Sequence, residues 1–303
     1  MAIQRKQRSF IDPVVVGKLA ALPLMARSPM LGSVSGRHTS PHRGASVEFA
    51  EYRKYVPGDD LRRLDWRAYG RSDRFYIKEF EADTNLRLVL VLDTSGSMGV
   101  DTVGGTKLDY ARRLAGTLSY LTIQQGDAVG LASVSQGIHN VIPPRRSPSH
   151  LHALLEQLES LTPAGPSQLP AGLHEIAETV RQRALVIVVS DFFMETSELR
   201  ECFEHLRFRK HDVAVFHLLD PEEIRFELQR PTRFVDTEGG ASIFADPVEI
   251  ADRYRKAMED YLIEIRKIAL ETAVDYRRII LDQSYDTALR SFLVDRAGRR
   301  RMR

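Results

Sequence analysis

Asp93, Ser95 and Ser97 stand on alternate residues at the end of an apolar run, in the stretch Leu86 to Gly99 that reads L-R-L-V-L-V-L-D-T-S-G-S-M-G. A carboxylate and two hydroxyls in a loop opened by Gly96 and Gly99 can aim three oxygens at one point, and converging hard oxygens suit Mg²⁺ or Mn²⁺. The same string also serves as an ordinary turn after a strand, so these residues alone leave both readings open. Other chemistries fit less well. A serine-hydrolase elbow needs G-x-S-x-G, whereas Ser97 has Ser95 two residues before it. A phosphatase of the haloacid dehalogenase type needs a second Asp where Ser95 stands. Gly99 to Thr106 comes within one residue of a phosphate-binding loop, but Gly105 occupies the place of the phosphate-binding Lys.

The elements that must position these groups follow from the hydrophobic pattern. Six of the seven residues from Leu86 to Leu92 are Leu or Val, which suits a strand buried on both faces. Thr106 and Asp109 form a capping-box pattern, and Leu108, Ala111, Ala115 and Leu118 recur at helical spacing, so a helix is expected from Lys107 to Gln124. Asp127 to Val134 and Ile138 to Ile142 read as two strands joined by a polar turn, with Pro143-Pro144 ending them. Helices follow over His150 to Leu161 and Ala171 to Gln182, then a strand from Ala184 that also ends on Ser190-Asp191. A further helix, Glu195 to Phe208, leads to the strand Val213 to Leu219. Strands alternating with helices of this length call for an α/β, doubly wound, mostly parallel sheet of Rossmann type. In such a sheet the first and fourth strands flank the crevice where strand order reverses. Asp93 and Asp191 end those two strands, and Ser167, on the loop entering the preceding helix, can reach the same place.

Composition bounds the rest. The 303 residues hold 43 Lys and Arg against 41 Asp and Glu, a balance that does not ask for nucleic acid as a partner. The basic ends, Arg5 to Arg8 and Arg299 to Arg303, read as solvated termini. Cys202 is the single cysteine; it excludes an internal disulfide, fits a reducing compartment and is read as inert. The N-terminal apolar segment Val14 to Met25 carries Lys18 and Pro23 and falls short of the roughly 20 apolar residues of a membrane span. A cytoplasmic location is therefore expected. His150, His152 and His174 have no acidic cluster beside them and are assigned to the surface.

Before the central strand, Asp12-Pro13 starts a short helix, and Ser28 to Arg43 reads as a loop. Val47 to Tyr52 and Arg74 to Glu81 alternate apolar and charged residues as a small β unit would. After residue 220, Asp220 to Glu223 reads as a loop, and Thr232 to Thr237 with Ser242 to Phe244 as a hairpin around Gly239-Gly240. A long helix from Pro247, a strand Tyr276 to Leu281 and a last helix near Thr287 to Asp295 read as additions to the sheet edge. The expected division is 1–83, an N-terminal helix, loop and β unit; 84–220, the sheet domain; and 221–303, a C-terminal α/β extension.

The constellation of Asp93, Ser95, Ser97, Ser167 and Asp191 resembles the metal-ion-dependent adhesion site of von Willebrand factor A domains over about residues 84–220. Pro166 and Phe192, which follows Asp191, stand where that family usually has Gly. The signature Glu48-Phe49, Arg53-x-Tyr55-x-x-Gly58-Asp59-Asp60, Arg63-x-Asp65-Trp66 and Lys78-Glu79-Phe80 resembles the bacterial domain-of-unknown-function family fifty-eight. The resemblance implies a non-enzymatic, metal-dependent protein-binding module. It would be a partner or adaptor of a MoxR-type AAA+ ATPase in protein assembly or maturation. Asp93, Ser95, Ser97 and Ser167 would hold Mg²⁺ or Mn²⁺, Asp191 would act through water, and the Arg53 to Trp66 block would add partner contacts. The alternative is a metal-dependent phosphohydrolase in the same crevice, which needs a base or an electrophilic Lys or Arg near Asp93; the sequence places none.

Overall fold

The computed structural model describes residues 10–26, 48–54, 69–70, 75–81, 86–102, 104–240 and 242–301. Within these the chain divides into two compact units, Ser28–Leu86 and the combination of Met1–Arg27 with Arg87–Arg303.

In the smaller unit, strands β1 (Glu48–Lys54) and β2 (Tyr76–Glu81) pair antiparallel, with a bulge between Phe49 and Glu51. Tyr69 and Phe75 stack at 4.4 Å between ring centroids. The signature residues from Tyr55 to Trp66 lie outside the described residues.

The larger unit is built on β3 (Arg87–Asp93), whose apolar run is buried as its sequence requires. Parallel neighbours β6 (Ala128–Val134) and β8 (Leu185–Ser190) flank it. Strand β9 (Asp212–Leu219) pairs with β8, and β12 (Asp275–Ile280) with β9. Antiparallel β7 (Ile138–Arg145) closes the other edge, giving the six-stranded order β12-β9-β8-β3-β6-β7. Between β3 and the first following helix, β4 (Asp101–Thr102) and β5 (Gly105–Thr106) form a small ladder. Strand β7 runs through Pro143 and Pro144, which the sequence pattern placed at its end. An edge strand tolerates a missing N–H, and Gly130 on β6 makes room: a Cβ there would sit 2.9 Å from the Pro144 nitrogen.

Helices cover both faces. Helix α1 (Pro13–Leu19), capped by Asp12, packs on α2 (Lys107–Gln124), which carries the expected Thr106–Asp109 capping box. Helix α3 (Pro148–Ser160) lies beside α2, and α8 (Tyr285–Arg301) also contacts it. On the opposite face, α4 (Leu169–Thr179), α5 (Thr196–Phe208) and α7 (Pro247–Glu271) bury Leu173, Phe203 and Ile265 against Val89, Val91, Val186 and Val188. The segment read as a loop at Asp220 forms a short helix, α6 (Pro221–Arg225), because Asp220 and Glu223 make a capping box around Pro221. Phe226 ends it in the left-handed region at φ 49°. The hairpin after it consists of β10 (Thr232–Phe234) and β11 (Ile243–Ala245). Among the described residues no helix is long and apolar enough to cross a membrane.

Two side-chain expectations are corrected. His150 is buried, its Nε2 2.7 Å from the Val129 carbonyl oxygen. Cys202, read as inert because its helical stretch offers no metal ligand nearby, lies with Sγ 3.7 Å from His174 Nε2, and His174 Nδ1 is 2.8 Å from His205 Nδ1. Burial pushes the Cys202 thiol up to about 12, so it remains unreactive near neutral pH.

Candidate metal centre

Because β3 and β8 are parallel neighbours, their C-terminal ends deliver Asp93 and Ser190-Asp191 to one crevice at the switch point of the sheet. Asp93 is 1 % exposed. Its Oδ1 accepts from the Ser95 backbone N–H at 2.9 Å. Its Oδ2 accepts from Ser190 Oγ at 2.7 Å and from Ser167 Oγ at 3.3 Å. Ser97 follows in a 3₁₀ turn, Gly96–Gly99, that brings its Oγ to 3.1 Å from Ser95 Oγ. The crevice therefore gathers Asp93, Ser95, Ser97 and Ser167, with Asp191 beside them.

The two loops are laced by backbone bonds. Gly96 donates to the Gly165 carbonyl at 2.8 Å and Ala164 to the Thr94 carbonyl at 2.9 Å. Gly165 takes φ 71°, a left-handed backbone that glycine adopts without strain, with the flexible Gln136 side chain packed over it. Phe192 takes φ 52° although it is not glycine. Its backbone N–H donates to Ser190 Oγ at 2.9 Å, its carbonyl accepts from Tyr261 Oη, and its buried ring packs edge-on against His217. The loop keeps the left-handed turn a glycine would supply, held by packing instead.

Electrostatics favour a cation. Burial, and then the charge of Asp191, push the Asp93 carboxyl up to about 6 against the lowering effect of its hydrogen bonds. Negative charge is thus costly there, and a divalent ion among these hard oxygens removes that cost. Among the described residues there is no cluster of three or more His, Cys, Asp or Glu able to hold a metal. The fitting donor set is rich in hydroxyls instead.

Three residues at this site escaped the sequence reading as site residues. Lys107, fully buried at the start of α2, donates from Nζ to Asp191 Oδ2 at 2.8 Å and also to Glu223 of α6. Burial alone would lower its ammonium, but Asp191 and Glu223 outweigh that and raise it. Ser190, visible only as the residue before Asp191, is the shortest hydroxyl donor to Asp93. Glu238, on the β10–β11 connection, accepts from the Ser167 backbone N–H at 3.0 Å. No local pattern announces a contact across 71 residues.

The family model described as "Protein of unknown function DUF58" matches residues 51–263. The uncharacterized protein Rv1480 of Mycobacterium tuberculosis is 26 % identical over 232 residues, covering 76 % of this chain and 73 % of that one. The conserved hypothetical protein BatB of Bacteroides thetaiotaomicron, a solved structure, shares the fold with a TM-score of 0.51 at 16 % identity, over 72 % of this chain and all of that one. The SpRpn10 VWA domain gives a TM-score of 0.41 at 10 % identity, covering 68 % and 94 % of the two chains. The likeness to BatB is one of fold alone, the mostly parallel six-stranded α/β sheet with helices on both faces.

Proposed function

From the premise that the chain belongs to the DUF58 family, we propose that it is a non-enzymatic protein-binding module that works through Mg²⁺ or Mn²⁺ in the cytoplasm, as partner or adaptor of a MoxR-type AAA+ ATPase acting on a client protein. The observation that carries this reading is the convergence on Asp93 of the Ser167 and Ser190 hydroxyls and the Ser95 amide, with Ser97 alongside and Asp191 already neutralised by Lys107. Asp93, Ser95, Ser97 and Ser167 would hold the ion, with Asp191 behind them. When bound, the ion supplies a Lewis-acidic position for an incoming carboxylate. Neutral hydroxyls leave more of its charge available than a cage of anions would. The resemblance of the N-terminal signature supports the ATPase as partner.

The phosphohydrolase alternative asked for a Lys or Arg near Asp93. Lys107 comes close, but its ammonium is engaged by Asp191 and Glu223 and buried with them. The Ser167 and Ser190 hydroxyls are committed to Asp93 as hydrogen-bond donors. Calorimetric titration with a MoxR-type ATPase, in Mg²⁺ and in EDTA, tests the proposal. Binding that is lost in EDTA and in Asp93→Ala supports it; binding unchanged in both overturns the metal-dependent mechanism.

A further inference from the structure

The β10–β11 connection sits on the metal loops. A Cβ built on Gly96 would lie 2.2 Å from the Thr237 carbonyl oxygen, so only glycine in the D-T-S-G-S turn admits so close an approach. The next residue, Glu238, reaches past it to the Ser167 amide, and the same Ser167 offers its hydroxyl to Asp93. The tip is pre-formed: Asp236 Oδ1 accepts from the Glu238 N–H at 2.8 Å, and Gly239 turns the chain at φ 98°. Its base is anchored by Phe226, stacked between Phe234 at 5.8 Å and Tyr254 at 4.2 Å. A carboxylate has thus been placed, on a shaped turn packed against Gly96, beside the crevice that holds Asp93. Here the Ser167 N–H holds this carboxylate at the crevice, and a divalent ion on Asp93 and the serine hydroxyls would add an attraction of its own.

We propose that Glu238 is a metal ligand supplied by the hairpin, and that it occupies from within the chain the position that a partner's acidic side chain would take. This rests on the metal-dependent reading of the crevice. The hairpin is then a cap: ion binding tightens it, and a partner must displace Glu238 to reach the ion. Metal affinity and partner affinity consequently oppose each other at this one residue.

The experiment is Mn²⁺ titration followed by electron paramagnetic resonance of the free ion, on the full chain as wild type, Asp93→Ala and Glu238→Gln. Amide hydrogen exchange of residues 232–245 is measured with and without Mn²⁺ alongside. Expected are binding by wild type, none by Asp93→Ala, and affinity about tenfold weaker in Glu238→Gln. Exchange in the hairpin should slow with Mn²⁺ in wild type only. Sodium acetate, as a free carboxylate, should restore part of the Mn²⁺ affinity to Glu238→Gln and do little to wild type. Absence of Mn²⁺ binding by wild type, or equal binding by Asp93→Ala, overturns the metal reading and this proposal with it. Binding that needs Asp93 but is the same in Glu238→Gln, with Mn²⁺-independent exchange of the hairpin, overturns the cap alone.

Discussion

Lys107 Nζ lies 2.8 Å from Asp191 Oδ2, joining the first residue of α2 to the end of β8 across 84 positions of sequence, with both side chains buried. This pair fixes the wall of the crevice behind Asp93, and the Glu223 carboxylate on the same ammonium ties α6 to it.

Removing the ammonium leaves two carboxylates without their counter-charge, one of them deeply buried. Lys107→Met should lower the unfolding free energy by about 3 to 5 kcal/mol, because an orphaned buried charge costs more than the pair contributed. Glu223→Gln should cost about 1 kcal/mol, since Lys107 keeps Asp191. Urea denaturation at pH 7 compares the two, and equal losses would contradict the central place given to Asp191.

Phe192 offers an unusual comparison of two truncations. Both Phe192→Ala and Phe192→Gly lose a buried aromatic side chain, about 3 to 5 kcal/mol. Only the glycine variant is relieved of the left-handed backbone strain at φ 52°, worth about 1 kcal/mol. Glycine should therefore be the less damaging substitution here, the reverse of the order in a helix. Finding alanine the milder change in urea denaturation would show that the turn is not strained.

Legibility in the sequence followed the range of the forces involved. The run from Leu88 to Leu92 and its echo from Leu185 to Val189 announced the paired central strands, because burial on both faces demands a continuous apolar string. Those strands carry Asp93 and Asp191 with them, so the candidate ligands followed from strand ends and the usual strand order. Ser190 hid in plain view as the residue before Asp191. Lys107 was legible as a helix start but not as an ion-pair partner, since its carboxylates come from β8 and α6. Glu238 was beyond local reasoning altogether: its place depends on a hairpin docking against Gly96, and Gly96 by itself looks like any turn glycine.

His211 should make stability sensitive to mild acid. Its Nδ1 accepts the Ala184 backbone N–H at 3.2 Å, which requires the neutral ring, and burial followed by the charge of Arg209 pushes it down to about 4. A folded-state value below the unfolded one means that this contribution is complete above about pH 6.5 and is lost as pH falls toward 4. His217, also driven down to about 4 by burial, acts in the same direction. Asp93, raised to about 6, acts oppositely over the lower part of this range. Comparing wild type with His211→Gln isolates the His211 share: the variant should lose less stability between pH 7 and 5, by on the order of 1 kcal/mol. Parallel losses in denaturant titrations at the two pH values would show that His211 does not titrate differently on folding.

Metal addition should stabilise the larger unit through the Asp93 crevice. With Mn²⁺ at about 100 times its dissociation constant, the gain is about 2.7 kcal/mol, or roughly 5 to 10 °C in Tm for a unit of this size. Asp93→Ala removes both the carboxylate and the acceptor that holds the Ser95, Ser167 and Ser190 groups in place, so its melting temperature should not respond to Mn²⁺. Ser95→Ala removes one hydroxyl and leaves the backbone bond to Asp93 intact, so its response should shrink without disappearing. Differential scanning calorimetry with matched EDTA controls reads all three proteins. The same Mn²⁺ shift in Asp93→Ala as in wild type would move the ion elsewhere in the molecule and leave this crevice as the seat of a purely structural hydrogen-bond network.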